Sequence, residues 1–235
     1  MRFNHRFTER VQSQLAGAAV ALALAAISPQ VARAQYLHPK ITSKQTTIRN
    51  IVLLPAKVDI VRDSMKGPEG MGAESEQLSA RVSQLITDAL TAKNIAALPA
   101  PPAAADGDAQ QKYTVADIQS RYDDLLPKIT RKKKDVKQGR FSMGDEVLNL
   151  NLDKKADAIV FIRGRGQKLT SGKKAFVILV GGAPAYLQLS ISIVDAHTGE
   201  VLLYTDSLAV GDPTSGDTNR VRKSIAKSLK KLPAV

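Results

Sequence analysis

Cysteine and tryptophan are both absent from the 235-residue chain. Without thiols there are no disulfides, no thiolate metal sites and no cysteine to carry a lipid at a processed amino terminus. Histidine is scarce: three in all, with only His38 and His197 beyond the first 34 residues. No HExxH or HxxxH spacing exists for a metal site, and no G-x-S-x-G elbow for a nucleophilic serine. Five Phe and five Tyr leave little aromatic surface for stacking bases, which argues against single-stranded nucleic acid as a partner. No apolar run reaches the roughly 20 residues that span a bilayer. No cofactor or metal, and no catalytic residue, is expected.

What is present begins with a leader. Arg2, Arg6 and Arg10 precede 13 residues rich in Ala and Leu, from Leu15 to Ile27, and then Ala32-Arg33-Ala34. A basic stretch, a short apolar stretch and a small-x-small site in that order predict a secretory signal peptide over 1–34, with an uncleaved anchor as the alternative. Cleavage leaves 201 residues, enough to bury a core without staples. The formal charge is +12; the leader holds four Arg and one Glu, so the exported chain keeps +9. An exported basic surface attracts phospholipid headgroups, cell-wall polymers and acidic protein faces by long-range forces. The expected location is the periplasm, with outer-membrane association through protein contacts.

Residues 35–47 read as an extended arm, and 48–235 as one α/β (α+β) domain: a two-layer or three-layer sandwich with a mixed sheet, helices on its faces, and a C-terminal meander plus helix. The apolar run Ile51 to Leu54 predicts a buried strand that Pro55 interrupts. The Gly-rich stretch 62–75 reads as a loop. Leu78, Val82, Leu85, Ile86, Ala89 and Leu90 form one helical stripe, with Asn94 as a left-handed stop. A short strand over 95–99 leads to a flexible linker near 99–112. Thr114 and Asp117 cap a second helix, which Pro127 is expected to end or kink. A further helix over 142–156 is capped by Ser142, with Val147, Leu148 and Leu152 on its apolar side. Segments 156–166 and 173–182 are expected to pair as a hairpin, with 175–180 a buried strand. Residues 185–195 and 200–210 alternate with period two, and Val221, Ile225, Leu229 and Leu232 mark a closing helix.

Among these elements, "SISIVDAHTGEVLLY" gathers Asp195, His197 and Glu200. An Asp that accepts from turn N–H groups and a Gly free to take positive φ account for the turn without chemistry. "GRGQKLTSGKK" lacks phosphate-loop spacing and joins two predicted strands, so it reads as a tip presenting cations. "SMKGPEGMG" reads as an ordinary loop, and Asp123-Asp124 as solvated carboxylates on different helix faces. The run Arg131, Lys132, Lys133 and Lys134, with Lys173 and Lys174 at the expected hairpin tip, is the candidate partner-binding set.

The opening "IRNIVLLPA", the "LTAKNI" helix end, "KKADAIVFIRGRG" and "VDAHTGEVLLY" together resemble the curli-secretion lipoprotein superfamily over residues 48–232. The superfamily includes lipoprotein activators of peptidoglycan synthases and outer-membrane-associated lipoproteins, with a related fold in the amino-terminal domain of the Tol-system propeller protein. The hairpin is similar to the family pattern D-x-x-T-G-E/K-V-L-W, with Leu203 at the Trp position and Tyr204 one place beyond. The resemblance implies a non-enzymatic envelope protein that binds other proteins in assembly, secretion or transport. The chain departs from the family in lacking the usual lipidated cysteine. Its uninterrupted run at 175–180 also differs from the alternating hairpins of pore-forming members, so no channel is carried over. Two alternatives stand beside this reading. One is binding of anionic lipid or cell-wall polymer through the cationic C-terminal helix; the other is a wall hydrolase, which needs a carboxylate pair in a cleft. Self-association stays open.

Overall fold

The computed structural model describes residues 35–101, 114–144, 147, 150, 152 and 155–235. The expected signal peptide, nearly all of the linker and much of the expected 142–156 helix lie outside the described residues. The architecture is α+β around one open mixed sheet in the order β1-β8-β7-β6-β2-β5, with β3 beside β6 and β4 beside β3.

The long strand β6 (Ala158–Leu169) organises the sheet. Its buried positions alternate faces: Ala158, Val160 and Ile162 join one core, Ile159 and Phe161 the other. Two parallel strands share its one edge end to end, β2 (Asn50–Leu53) and then β3 (Lys57–Ser64), with Pro55 in the gap. That gap is where a residue without an N–H interrupts a ladder at least cost. On the other edge β6 pairs antiparallel with β7 (Tyr186–Asp195), which pairs with β8 (Val201–Val210). β5 (Ala96–Leu98) extends the sheet beside β2.

Helices cover both faces, giving three layers. On one side α2 (Gly72–Thr91) and α6 (Asn219–Ser228) press Leu78, Val82, Leu85, Ile86, Val221 and Ile225 onto the sheet. On the other, α3 (Val115–Arg131) and α4 (Lys133–Lys137) contribute Ile118, Tyr122, Ile129 and Val136. Thr114 and Asp117 form a reciprocal capping box, and Asn94 takes φ 59° just past α2.

Several expectations are corrected. Residues 35–47, expected as an extended arm, are extended only at β1 (Gln35–Leu37), which pairs with β8, and α1 (Pro39–Thr42) follows with buried Ile41. The loop expected over 62–75 is instead the end of β3, a hairpin to β4 (Gly67–Gly70), and the start of α2. Pro127 sits inside α3, which runs on to Arg131. Its ring removes a single bond near the helix end, and buried Ile129 anchors the last turn in the core. Ser142 bridges to Glu200 instead of capping a helix. Of the three residues expected on that helix's apolar side, Val147 is buried, Leu152 is half-buried, and Leu148 lies outside the described residues.

The largest correction concerns 173–182. This segment is not the partner of β6 but a helix, α5 (Ser171–Val180), set between β6 and its true partner β7. Thr170 caps it through the Lys173 N–H, and Gly181 closes it at φ 70°. None of its residues is buried.

Candidate functional site

The β7–β8 turn carries Asp195, His197 and Glu200. Asp195 Oδ1 accepts from the backbone N–H groups of His197 at 2.8 Å and Thr198 at 2.9 Å. Gly199 takes φ 68° and lies so close to a neighbouring loop that an added Cβ would sit 2.4 Å from the Gly144 carbonyl oxygen. Glu200 forms an ion pair with Lys40 at 2.5 Å, tying the turn to α1. The side chain of His197 is exposed at the tip. His38 is buried and caps α1 through Nδ1, which accepts from the Lys40 N–H at 3.1 Å. Asp195 and Glu200 are thus employed in shaping and fastening the turn.

A polar cleft of about 510 Å³ opens on the sheet face beside α3. Its floor follows from strand alternation: past Phe161, the outward positions of β6 are Arg163 and Arg165, and those of β7 and β8 are Gln188, Ser190, Tyr204 and Asp206. The α3 helix covers only part of this face, so Arg165 and Gln188 meet water, Arg163, Ser190 and Asp206 are half-buried, and only Tyr204 stays buried. Arg163 donates to Asp123 and, at 2.9 Å, to the Gln119 carbonyl, while its guanidinium stands 5.5 Å from the Tyr122 ring centre. Asp123 also faces Lys57 at 3.7 Å. It is therefore paired, not the freely solvated carboxylate expected from its place beside Asp124. Asp206 Oδ1 accepts from both Ser190 and Tyr204 hydroxyls at 2.7 Å. Burial, then the hydrogen bond to the Asp206 carboxylate, pushes the Tyr204 phenol well above its ordinary pKa; burial does the same to Tyr122, whose hydroxyl meets Ser192 at 2.6 Å. Both phenols therefore stay protonated as hydrogen-bonding groups at neutral pH.

This cleft escaped the sequence reading because its residues come from one helix and four strands spread from Lys57 to Asp206. One signal was available. In "FIRGRG" two arginines recur at period two directly after the apolar run Ala158 to Ile162, the mark of a sheet face that leaves its core.

The six predicted cations fall on separate elements. Arg131 ends α3, Lys132 joins it to α4, and Lys133 and Lys134 open α4; Arg131, Lys132 and Lys134 are exposed. Lys173 and Lys174 occupy the first turn of α5, not a hairpin tip, and Lys173 lies 3.7 Å from Asp63. α4 packs against β1 and β8, whereas α5 packs against β3 and β6. The basic run and the lysine pair are thus held by different parts of the sheet. Among the described residues, no group of three or more His, Asp or Glu is placed to hold a metal ion.

Fold and surface together define an α+β protein with an open mixed sheet, a polar cleft beside α3 and two cationic segments. No protein-family model matches the chain, and no curated protein sequence matches it. Among solved structures it is similar to the PelC dodecamer from Paraburkholderia phytofirmans, at 13% identity and a TM-score of 0.41, covering 86% of this chain and 96% of that one. It is also similar to the lipoprotein GNA1162 from Neisseria meningitidis, at 10% identity and a TM-score of 0.32, covering 77% of this chain and 94% of that one.

Proposed function

We propose that the protein is an exported, non-enzymatic interaction module of the cell envelope, working in assembly, secretion or transport by docking a partner protein through its basic surface. The observation that carries this reading is the run Arg131 to Lys134. It stands at the junction of α3 and α4, where Arg131, Lys132 and Lys134 are exposed on a chain with a formal charge of +12. Cations left in water at a helix junction attract an acidic partner face from a distance and speed its arrival, more than they hold it once bound. The leader-like segment 1–34 supports export, and the hairpin "VDAHTGEVLLY", through its resemblance to an envelope superfamily, supports the setting. A turn in which Asp195 and Glu200 are both used in its own fastening supports a role without bond-making.

The test replaces Arg131, Lys132, Lys133, Lys134, Lys173 and Lys174 with Gln and follows capture of envelope proteins and the rate of association at low and high salt. The wild-type chain is expected to retain a specific envelope protein and to associate more slowly as salt rises. The neutral variant is expected to lose most of that rate and its salt dependence. Unchanged capture and rate in the variant overturn the basic-face reading.

A further inference from the structure

The α5 helix presents the strongest unexplained feature of the surface. Phe176, Ile178, Leu179 and Val180 are exposed to 47%, 73%, 84% and 57%. At the same end of the sheet, in the turn after β3, Met65 is exposed to 66%. A run of large apolar residues in water marks a contact surface. The helix is no frayed strand: it is capped at both ends, and the Gly182 N–H returns to the Val177 carbonyl at 2.9 Å.

The pattern of the helix selects what covers it. A helix that docks in a protein groove carries a stripe at i, i+3, i+4 and i+7, with polar residues behind. Here Ala175 to Val180 are all apolar. At 3.6 residues per turn such a run goes completely round the axis. A tip that is apolar on every side is satisfied by a medium that surrounds it, which is a fluid hydrocarbon layer and not a one-sided groove. Lys173 and Lys174 stand one turn back, with polar Thr170 and Ser171 before them. The rise from Lys174 to Val180 is about 9 Å at 1.5 Å per residue. That matches the roughly 5–10 Å from headgroups to the upper acyl chains at which interfacial helices settle. Long cationic side chains reach back to phosphate while the tip enters the chains. Among the described residues, no helix is long and apolar enough to cross a membrane.

We propose that the C-terminal half of α5 is a membrane-contact tip, inserting Phe176, Ile178, Leu179 and Val180 into the upper acyl region of an anionic phospholipid leaflet, with Lys173 and Lys174 at its phosphates. This does not rest on the partner-docking reading: the two share Lys173 and Lys174, but the run Arg131 to Lys134 that carries the docking reading lies on other elements, and the ligand differs. Binding is peripheral and reversible, and it orients the sheet end of β3 and β6 toward the membrane.

The absence of tryptophan makes the test direct. Leu179→Trp in the full chain gives a single reporter on a residue 84% exposed. Added phosphatidylglycerol vesicles are expected to shift its emission to the blue, and lipid brominated on the upper acyl chain is expected to quench it. Phosphatidylcholine vesicles are expected to do so weakly. Because the quench is read at position 179, it reports this helix alone. Phe176→Ser with Ile178→Ser in the same background is expected to abolish most of the quench with an unchanged far-UV spectrum, since neither residue is buried. No shift with any vesicle overturns the proposal. So does a lipid-independent shift that grows with protein concentration, which assigns the tip to a second copy. Quenching at a Lys227→Trp reporter but not at 179 also overturns it, by making α6 the lipid-facing helix. Equal response to phosphatidylcholine alone overturns the anionic assignment.

Discussion

Glu200 shows how a single charged residue in this protein works for the fold. Its carboxyl is held below the ordinary carboxylate range first by the hydrogen bond from Lys40, against which burial acts, with the charges of Lys40 and His38 and the Thr198 hydroxyl adding to the depression. A carboxyl whose folded pKa lies below its unfolded value binds protons more readily when the chain unfolds, so its stabilisation is complete above the unfolded pKa, near 4.5. It is lost as pH falls through the lower folded value. Thermal melts of the wild type and of Glu200→Gln, taken from pH 7 to pH 3, are expected to differ most at neutral pH and to converge at the acid end. Lys40→Met is expected to remove most of the same difference. Both residues are partly exposed, their side chains at 39% and 24%, so solvent screening keeps the effect modest.

At the scale of elements, the edge of β3 that faces away from β6 is covered in an unusual manner. The backbone N–H groups of Ala56, Val58 and Ile60 donate to the hydroxyls of Ser83, Ser79 and Ser75 at 3.2, 3.0 and 2.9 Å. Those serines sit at i, i+4 and i+8 on α2, and their hydroxyls donate to helix carbonyls one turn back, at Ser79, Ser75 and Met71. A helix thus satisfies a sheet edge that would otherwise recruit another strand. Ser79→Ala leaves the Val58 N–H without a partner, and a net loss of about 1–2 kcal/mol is expected in urea unfolding, after Ala's better helix propensity offsets part of the cost.

The same scale explains where the reading of residues succeeded and failed. The α2 stripe, the Thr114–Asp117 box and the Asn94 stop were legible because each depends on neighbours within about one turn. The serine column was visible as spacing, but its meaning needs β3 alongside. The run 173–182 reads as a strand in the sequence because Phe, Val and Ile favour pleated surfaces. Both edges of β6 are already occupied, by β7 on one side and by β2 and β3 on the other, so no edge remains for it. Thr170 and Gly181 set its helix ends, the signals in the sequence that point to a helix.

In the molecule as a whole, two cores share one sheet, so neither half is complete alone. Val221 and Ile225 of α6, with Leu229 and Leu232 after it, belong to the same cluster as α2 and the inner faces of β6 and β7. Removing 217–235 uncovers that face, and the expected outcome is loss of the cooperative thermal transition, not a trimmed but folded domain. An intact transition in the truncated chain would mean that α6 contributes little to the core.

By itself the sequence determined the α+β class, the local helix and turn signals, the positive charge and the absence of thiol chemistry, because composition and short-range periodicity act within one turn or one strand. Only the tertiary structure decided which strands flank β6, that the "AFVILV" run is left in water, and that Arg163, Asp123, Tyr204 and Asp206 share one cleft. Those outcomes depend on which distant segments occupy the same edge or face, and pairing across more than a hundred residues leaves no mark in the spacing of either partner.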